Sequence, residues 1–229
     1  MNKSGFSIAT AAALVLIGGC GGNNEAAEEA DSGEDVLERA LTLMEERDNY
    51  FEQSRIESTD MREGEEEMEI REVSRWVFPR DDGHILERIE RTENDGAKAY
   101  DVSVEEGERM VSFTEGDDTA VVTNRDYGGG ISQQDMLENM YEGGEFELEG
   151  TEEVNGREAY HITSTEETDG MTDYWFDKET YYLLKKDGSD GSLPHVTEEV
   201  VEFDLDPDFD EEMFELEEVV PEEMDIVRN

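Results

Sequence analysis

Polar and apolar side chains alternate along most of this 229-residue chain, from about residue 53 onward. A period of two is typical of β-strands that bury one face, and turn residues such as Asn155-Gly156 separate the successive runs. The pattern predicts strands at residues 53–59, 67–78, 85–92, 98–104, 109–114, 119–124, 145–149, 152–154, 157–165, 172–177, 181–186 and 196–205. Their even spacing indicates a meandering antiparallel sheet or barrel.

Two segments follow the helical period instead. The first begins at Ser32, with Asp35 as a capping partner three residues later, and its apolar stripe runs on toward Tyr50 and Phe51. The stripe consists of Val36, Leu37, Ala40, Leu41 and Met44. Its i, i+3/i+4 spacing predicts a helix that covers a core.

The second helix is predicted after a glycine run at residues 128–130. Ser132 and Asp135 again have the capping-box spacing, and two glycines at 143–144 end the helix. Its apolar face consists of Met136, Leu137, Met140 and Tyr141. A helix with glycine at both ends is either a mobile lid or a packed connection, and both interpretations stay open. Further on, residues 207–216 predict a helical turn, followed by an acidic extended tail.

The first twenty residues carry a secretory signal pattern. Lys3 precedes an apolar run at residues 6–17, too short to span a bilayer, and Gly18, Gly19 and Cys20 follow. An aliphatic residue, two small residues and a cysteine resemble the lipobox of bacterial lipoproteins. The resemblance implies that Cys20, the only cysteine, receives a diacylglyceryl group and becomes the mature N-terminus. The alternative is an ordinary signal peptide followed by a chance cysteine.

The predicted organisation has three parts. We expect a signal peptide at 1–19, a lipidated, flexible, acidic tether at 20–33, and a single domain at 34–229. Two acyl chains hold a protein stably on a membrane, whereas one chain does not. The predicted location is therefore the cell membrane, on the side facing away from the cytoplasm.

The composition is strongly acidic, since 65 Asp and Glu residues against 18 Lys and Arg residues give a net charge of −47. This charge opposes binding to nucleic acid and to anionic lipid heads. The acidic residues are spread over the whole chain, and only five of the basic residues are lysines. Such a composition looks like that of a halophile's protein. The competing interpretation, intrinsic disorder, conflicts with the regular periodicity.

Motifs for catalysis or for cofactors are not recognisable in the sequence. His84, His161 and His195 lack the spacing of a zinc site. The nucleophile-elbow, phosphate-loop and dinucleotide-binding patterns are also missing. We therefore expect a non-enzymatic protein that uses neither a cofactor nor a metal.

The C-terminal half carries a recognisable series of motifs: EEVNGREAY at 152–160, YWFDKET at 174–180, LLK at 183–185, VEF at 201–203, Asp210 and Phe214. The series resembles the LolA-like superfamily, which includes periplasmic lipoprotein carriers and RseB-type sensors. The resemblance implies an α+β fold, namely an incomplete, strongly curved antiparallel β-barrel with helices covering the concave side. It also implies an apolar cavity that accepts acyl chains.

Large, soft side chains on the predicted elements are the candidates for the wall of this cavity, although a filled core would use the same residues. They are Met68, Ile70, Trp76, Phe78, Tyr100, Met110, Phe113, Met136, Met140, Trp175 and Phe176.

Two functions follow from the resemblance. The first is a membrane-anchored lipoprotein that binds acyl chains, a lipid or a lipoprotein, and that its Cys20 tether keeps from shuttling between membranes. The second is a scaffold or sensor module that regulates or stabilises another envelope protein. The expected partners are the membrane, through lipidated Cys20, and a lipid, a lipoprotein or an envelope protein.

Overall fold

The computed structural model describes residues 30–45, 49–62, 65–80, 84–92, 96–124, 136–138, 140–141, 144–165, 171–189 and 195–229. In this part of the chain one helix, α1 (Gly33–Glu45), precedes a single sheet, and residues 136–138 and 140–141 are also helical. Two short helical turns, Glu211–Phe214 and Leu216–Val219, follow the eleventh strand. The strands are β1 (Tyr50–Arg62), β2 (Glu65–Pro79), β3 (Ile85–Thr92), β4 (Lys98–Val104), β5 (Arg109–Thr114), β6 (Thr119–Asn124), β7 (Glu145–Val154), β8 (Arg157–Thr165), β9 (Met171–Asp177), β10 (Leu183–Ser189), β11 (His195–Asp204) and β12 (Asp225–Arg228).

The sheet consists of two antiparallel meanders joined at one strand pair. Strands β1 to β6 are neighbours in chain order, as are β7 to β11, and β1 pairs with β11. Strand β12 adds to β6 in parallel, so β12 and β7 are the edges of a curved sheet that does not close. The predicted open, curved, mainly antiparallel sheet is confirmed. That helices cover its concave side stays a prediction.

Most strand ends agree with the sequence prediction, because turn residues mark them. Strands β3 to β6 and β8 begin and end where the alternation predicts. Two expectations were wrong: Tyr50 and Phe51 open β1 instead of extending the helix, and residues 145–154 form one strand, whose bulge lies between Leu148 and Gly150. The pairing of the acidic tail as β12 was not predicted.

Helix α1 begins where its capping pattern predicts. The Ser32 hydroxyl accepts a hydrogen bond from the Asp35 N–H at 3.2 Å, which satisfies a donor of the first turn. Gly33 lies so close to β7 that an added Cβ would stand 2.8 Å from Phe146 Cβ. The side chains that pack toward β7 and β8 are Val36, Leu37, Ala40 and Met44.

Two hydrophobic cores use opposite faces of β2. Val77 belongs to the first core, whereas its neighbours Trp76 and Phe78 lie in or against the second. Adjacent residues of a strand point to opposite faces, so the cores are on different sides of this strand. The first core joins α1 and the short helix to strands β7 to β11. The second core is covered by the C-terminal segment, through Phe214, Leu216 and Val220.

The helix predicted at residues 132–141 is described only in part. Residues 136–138 and 140–141 are helical, and Leu137 and Met140 are buried in the first core. The glycine run at 128–130, Ser132 and Asp135 lie outside the described residues. Whether this helix is a lid therefore stays a prediction.

Candidate functional site

A pocket of about 350 Å³ lies beside the first core, between Met136 of the short helix and strands β1, β2, β10 and β11. Ligand sites commonly have volumes of about 300–1,000 Å³, so this pocket is large enough for a small molecule or a short chain. Its remaining lining residues are Glu52, Ile56, Arg75, Leu183, Leu184, Lys185, Lys186, Glu198 and Val200.

Strand register arranges this lining in rows. Ile56 of β1, Glu198 of β11 and Lys186 of β10 are cross-strand partners, and all three are half-buried. On β11, Val200 lies two residues after Glu198 and is buried. On β1, Glu52 lies four residues before Ile56 and is also buried. Because residues two apart on a strand share a face, the pocket runs from a half-buried rim at Lys186 to a buried floor at Glu52.

The floor carries a buried polar network around Glu52. Tyr182 donates its hydroxyl to Glu52 Oε2 at 2.5 Å, and Arg75 Nη1 donates to Glu52 Oε1 at 3.4 Å. Arg75 Nε lies 3.6 Å from Glu87 Oε1, and no described group accepts a hydrogen bond from it. Burial raises the pKa of Glu52, although Arg75 and Tyr182 oppose the shift. One guanidinium therefore faces two carboxylates at the floor.

The two lysines of the pocket differ in their surroundings. Lys185 Nζ lies 4.5 Å from the centroid of the Trp175 ring, its cross-strand neighbour on β9, in a cation–π contact. Lys186 is the cross-strand partner of Tyr174 and Glu198. Within the described part of the chain, Lys186 forms no ion pair. Its ammonium therefore has no ion-pair partner there, although Glu198 is its neighbour across the strand pair.

The eleven residues predicted to line a cavity are spread over the molecule. Met68 and Ile70 on β2 are 65% and 45% exposed, and Met110 on β5 is buried. The first core includes or contacts four of the others, namely Met136, Met140, Trp175 and Phe176. The second core includes or contacts the remaining four, namely Trp76, Phe78, Tyr100 and Phe113. Of the eleven, Met136 lines the pocket described above.

Sequence reasoning missed Glu52, Arg75, Tyr182 and Lys186 as members of a site. The charge of Glu52 did not mark it as a site residue, because the chain has 65 acidic residues. Glu52 and Arg75 are cross-strand partners in the structure, but the predicted strand begins at residue 53, so the sequence carried no signal for this pair.

Two further pockets, of about 430 and 260 Å³, flank Phe209 above the second core. The Phe209 side chain is half exposed, and its ring centroid lies 5.1 Å from that of Phe78 and 6.0 Å from that of Phe214. Arg80 and Leu86 line both pockets. The C-terminal segment thus covers the second core incompletely.

Metal ligands are not clustered in the described ranges, where no three His, Cys, Asp or Glu side chains are placed to hold an ion. Among the helices that the structure describes, none has the length and apolar character needed to cross a bilayer.

The motifs of the C-terminal half form structural turns. Asn155 and Gly156 have φ values of 50° and 79°, as the type I′ turn between β7 and β8 requires. Asp177, buried at the end of β9, accepts hydrogen bonds from Arg157 Nε at 2.6 Å and from the Thr180 N–H at 2.7 Å. These contacts fix the connection from β9 to β10, and the motifs therefore report on the fold.

Comparison with known proteins gives no match to any family model and none to a curated protein. Solved structures do match. A MucA/MucB complex from Pseudomonas aeruginosa aligns over 85% of this chain and 63% of that chain, with 14% identity and a TM-score of 0.51. MucB alone aligns over 80% of this chain and 62% of that chain, with 15% identity and a TM-score of 0.50. The chain shares the fold of the part of MucB that it matches.

The MucB fold confirms the predicted resemblance to the LolA-like superfamily, with its RseB-type members, at the level of the fold. The chain spans about three fifths of the length of the MucB structures that it matches. A LolA superfamily protein from Nitrosomonas europaea aligns with a TM-score of 0.36 and 11% identity, over 81% of this chain and 98% of that chain. That likeness is too low to carry an argument about this chain.

Proposed function

We propose that this protein is a membrane-anchored, extracytoplasmic lipoprotein that binds an acyl chain in the pocket beneath the short helix, without catalysing a reaction. The observation that carries the proposal is the pocket of about 350 Å³. Its apolar wall consists of Ile56, Met136, Leu183, Leu184 and Val200. Each methylene removed from water contributes about 0.8 kcal/mol, so a wall of this kind favours a hydrocarbon chain.

The anchor in this proposal is Cys20, with residues 1–19 removed as a signal peptide and the following residues acting as a tether. The first described residue, Ala30, is already buried, and its N–H donates to the Tyr160 hydroxyl at 3.3 Å. The tether would therefore run from Cys20 to about Ala30, roughly 5–6 Å times the square root of ten residues, or about 20 Å. This span would hold the domain close to the lipid heads.

The anchor is tested with the full chain and its Cys20→Ala variant in a bacterial host. We expect the wild-type chain in the membrane fraction, with a mass increase from lipid on Cys20. The variant should show no such mass increase, since it lacks the thiol that carries the lipid. An unmodified Cys20, or the same mass increase in the variant, would contradict the anchor.

Chain binding is tested on the Cys20→Ala protein by native mass spectrometry after extraction from cells. We expect bound lipid in this protein, and loss of it when Val200→Phe is added, because Val200 is buried against the pocket. Val201→Phe is the matched control, since this neighbour is 50% exposed. Circular dichroism establishes that both variants fold. Equal lipid in the two variants would place the lipid elsewhere.

A second function is supported by the comparison with MucB, which forms a complex with MucA. By analogy, this protein would regulate or stabilise another envelope protein, with the sheet as its scaffold. Chemical cross-linking in intact cells, followed by purification from detergent extracts, tests this function. If an envelope protein is recovered in stoichiometric amount and dissociates when lipid is added, this chain has both functions. If no such protein is recovered, only acyl-chain binding is supported.

A further inference from the structure

We propose that the pocket selects an amphiphile with one negative charge, whose head is held by Lys186 at the rim. This inference rests on the proposed acyl-chain binding and adds the chemistry of the head. Lys186 lines the pocket, is half-buried, and forms no ion pair within the described residues. A partly buried ammonium that is not engaged in an ion pair is a ready donor for a charge-assisted hydrogen bond.

The other cations near the pocket are already engaged. Arg75 faces the carboxylates of Glu52 and Glu87, at 3.4 and 3.6 Å, and Lys185 lies over the Trp175 ring. An anion at the buried floor would meet Glu52 and gain little from Arg75. The structure therefore separates the pocket into a rim that accepts an anion and a floor that opposes one.

The number of negative charges follows from the neighbours of Lys186. Glu198 is its direct cross-strand partner, and side chains in this relation have Cβ atoms about 4.5–5.5 Å apart. A monoanionic head is balanced by the ammonium of Lys186, since that of Lys185 lies over the Trp175 ring, whereas a second charge would face Glu198. The lining between rim and floor includes the apolar side chains of Leu184 and Val200, which suit the chain of the ligand. The ligand class is a fatty-acid-like carboxylate.

The test is calorimetric titration of the Cys20→Ala full chain at fixed salt and pH 8, with ten-carbon probes below their micellar concentrations. We expect decanoate to bind at least about tenfold more tightly than decanol, since a charge-assisted hydrogen bond is lost in the alcohol. Decyl phosphate, which carries a second charge, should bind more weakly than decanoate. Acetate, which lacks the chain, should not bind.

Variants of two lysines complete the test. Lys186→Gln should remove the preference for decanoate over decanol, and Lys186→Arg should retain it. The control is Lys98→Gln on β4, a half-exposed lysine whose ammonium lies 3.8 Å from Glu90; it should change nothing. Equal binding of decanoate and decanol would overturn the head-group inference while leaving chain binding intact. Acetate binding as tightly as decanoate would contradict chain binding, because the chain would then add no affinity. If no ten-carbon probe binds, both proposals fail.

Discussion

At the scale of single residues, Asp177 stabilises the turn that resembles the LolA-like motif. Burial alone would raise the pKa of Asp177, yet hydrogen bonds from Arg157 and Thr180 outweigh burial and lower it. We expect Asp177→Asn to reduce the free energy of unfolding by about 1–3 kcal/mol at pH 7, because the hydrogen bond with the guanidinium loses its ionic acceptor. Urea denaturation measures this. Glu179→Gln, a highly exposed neighbour, is the control and should have little effect.

The same carboxylate predicts a pH dependence. The pKa of Asp177 is lower in the folded state than the value of about 3.9 expected in the unfolded chain. Its stabilising contribution is therefore present above about pH 4 and is lost as the pH falls through the folded pKa. The stability difference between the wild type and Asp177→Asn should shrink as the pH drops from 5 toward 2. A difference that stays constant over this range would show that ionisation of Asp177 does not stabilise the fold.

Glu52 is the opposite case. Burial raises its folded pKa above the unfolded value of about 4.3, so its favourable contribution is present below about pH 4 and is lost as the pH rises through the folded pKa. Glu52→Gln keeps an oxygen that can accept the Tyr182 hydroxyl. We expect this variant to gain stability relative to the wild type between pH 4 and pH 8, measured by urea midpoints. Glu179→Gln, at a highly exposed position, is the control and should show no such gain. A loss of stability for Glu52→Gln relative to the wild type at pH 8 would contradict this prediction.

At the scale of elements, Gly33 sets how closely α1 approaches β7. An added Cβ would meet not only Phe146 Cβ at 2.8 Å but also the Phe146 backbone oxygen at 2.9 Å, and backbone cannot yield as a side-chain tip can. Overpacking costs about 1–3 kcal/mol, against about 1 kcal/mol gained from the better helix propensity of alanine. We expect Gly33→Ala to lower the free energy of unfolding by up to about 2 kcal/mol in urea titrations.

The matched control for Gly33 is Glu38→Ala, an exposed position of the same helix where no such contact exists. This variant should be within about 0.5 kcal/mol of the wild type, as is usual for exposed sites. If Gly33→Ala instead increased stability, α1 would lie further from β7 than the structure places it.

An element could be predicted from the sequence where residues close together in the chain determine it. The turn at Asn155-Gly156 and the N-cap at Ser32 are local, and both were predicted correctly. Strand β12 could not be predicted, since four exposed residues pair with β6 about a hundred positions earlier in the chain. At the bulge after Leu148 the sequence predicts a break between two strands, because an extra residue disturbs the alternation in the same way that a turn does.

At the scale of the whole molecule, the pocket could not be read from the sequence. Large apolar residues line a cavity and fill a core with the same period, and Phe176 and Phe113 proved to be buried in two different cores. The polar residues that distinguish the pocket come together only through the pairing of β1 with β2 and with β11. Register between distant strands is decided by tertiary packing, which alternation along one strand does not encode.

The net charge of −47 is a property of the whole molecule, and it predicts that salt stabilises the fold. Like charges repel more strongly in the compact state than in the unfolded chain, and this repulsion is screened as the Debye length falls from about 10 Å at 0.1 M to about 3 Å at 1 M salt. We expect the urea midpoint to rise between 0.1 and 1 M KCl and to change little above that. NaCl should give the same increase, because screening does not distinguish the two cations.

The salt effect should depend on the number of surface carboxylates. A variant with four exposed glutamates of the C-terminal segment replaced by glutamine, namely Glu211, Glu217, Glu218 and Glu222, should be more stable than the wild type at 0.1 M KCl. It should also gain less from added salt, because less repulsion remains to be screened. An unchanged or falling midpoint for the wild type would mean that its charges are already balanced by local contacts. In that case the acidic composition would not be an adaptation of the surface to high salt.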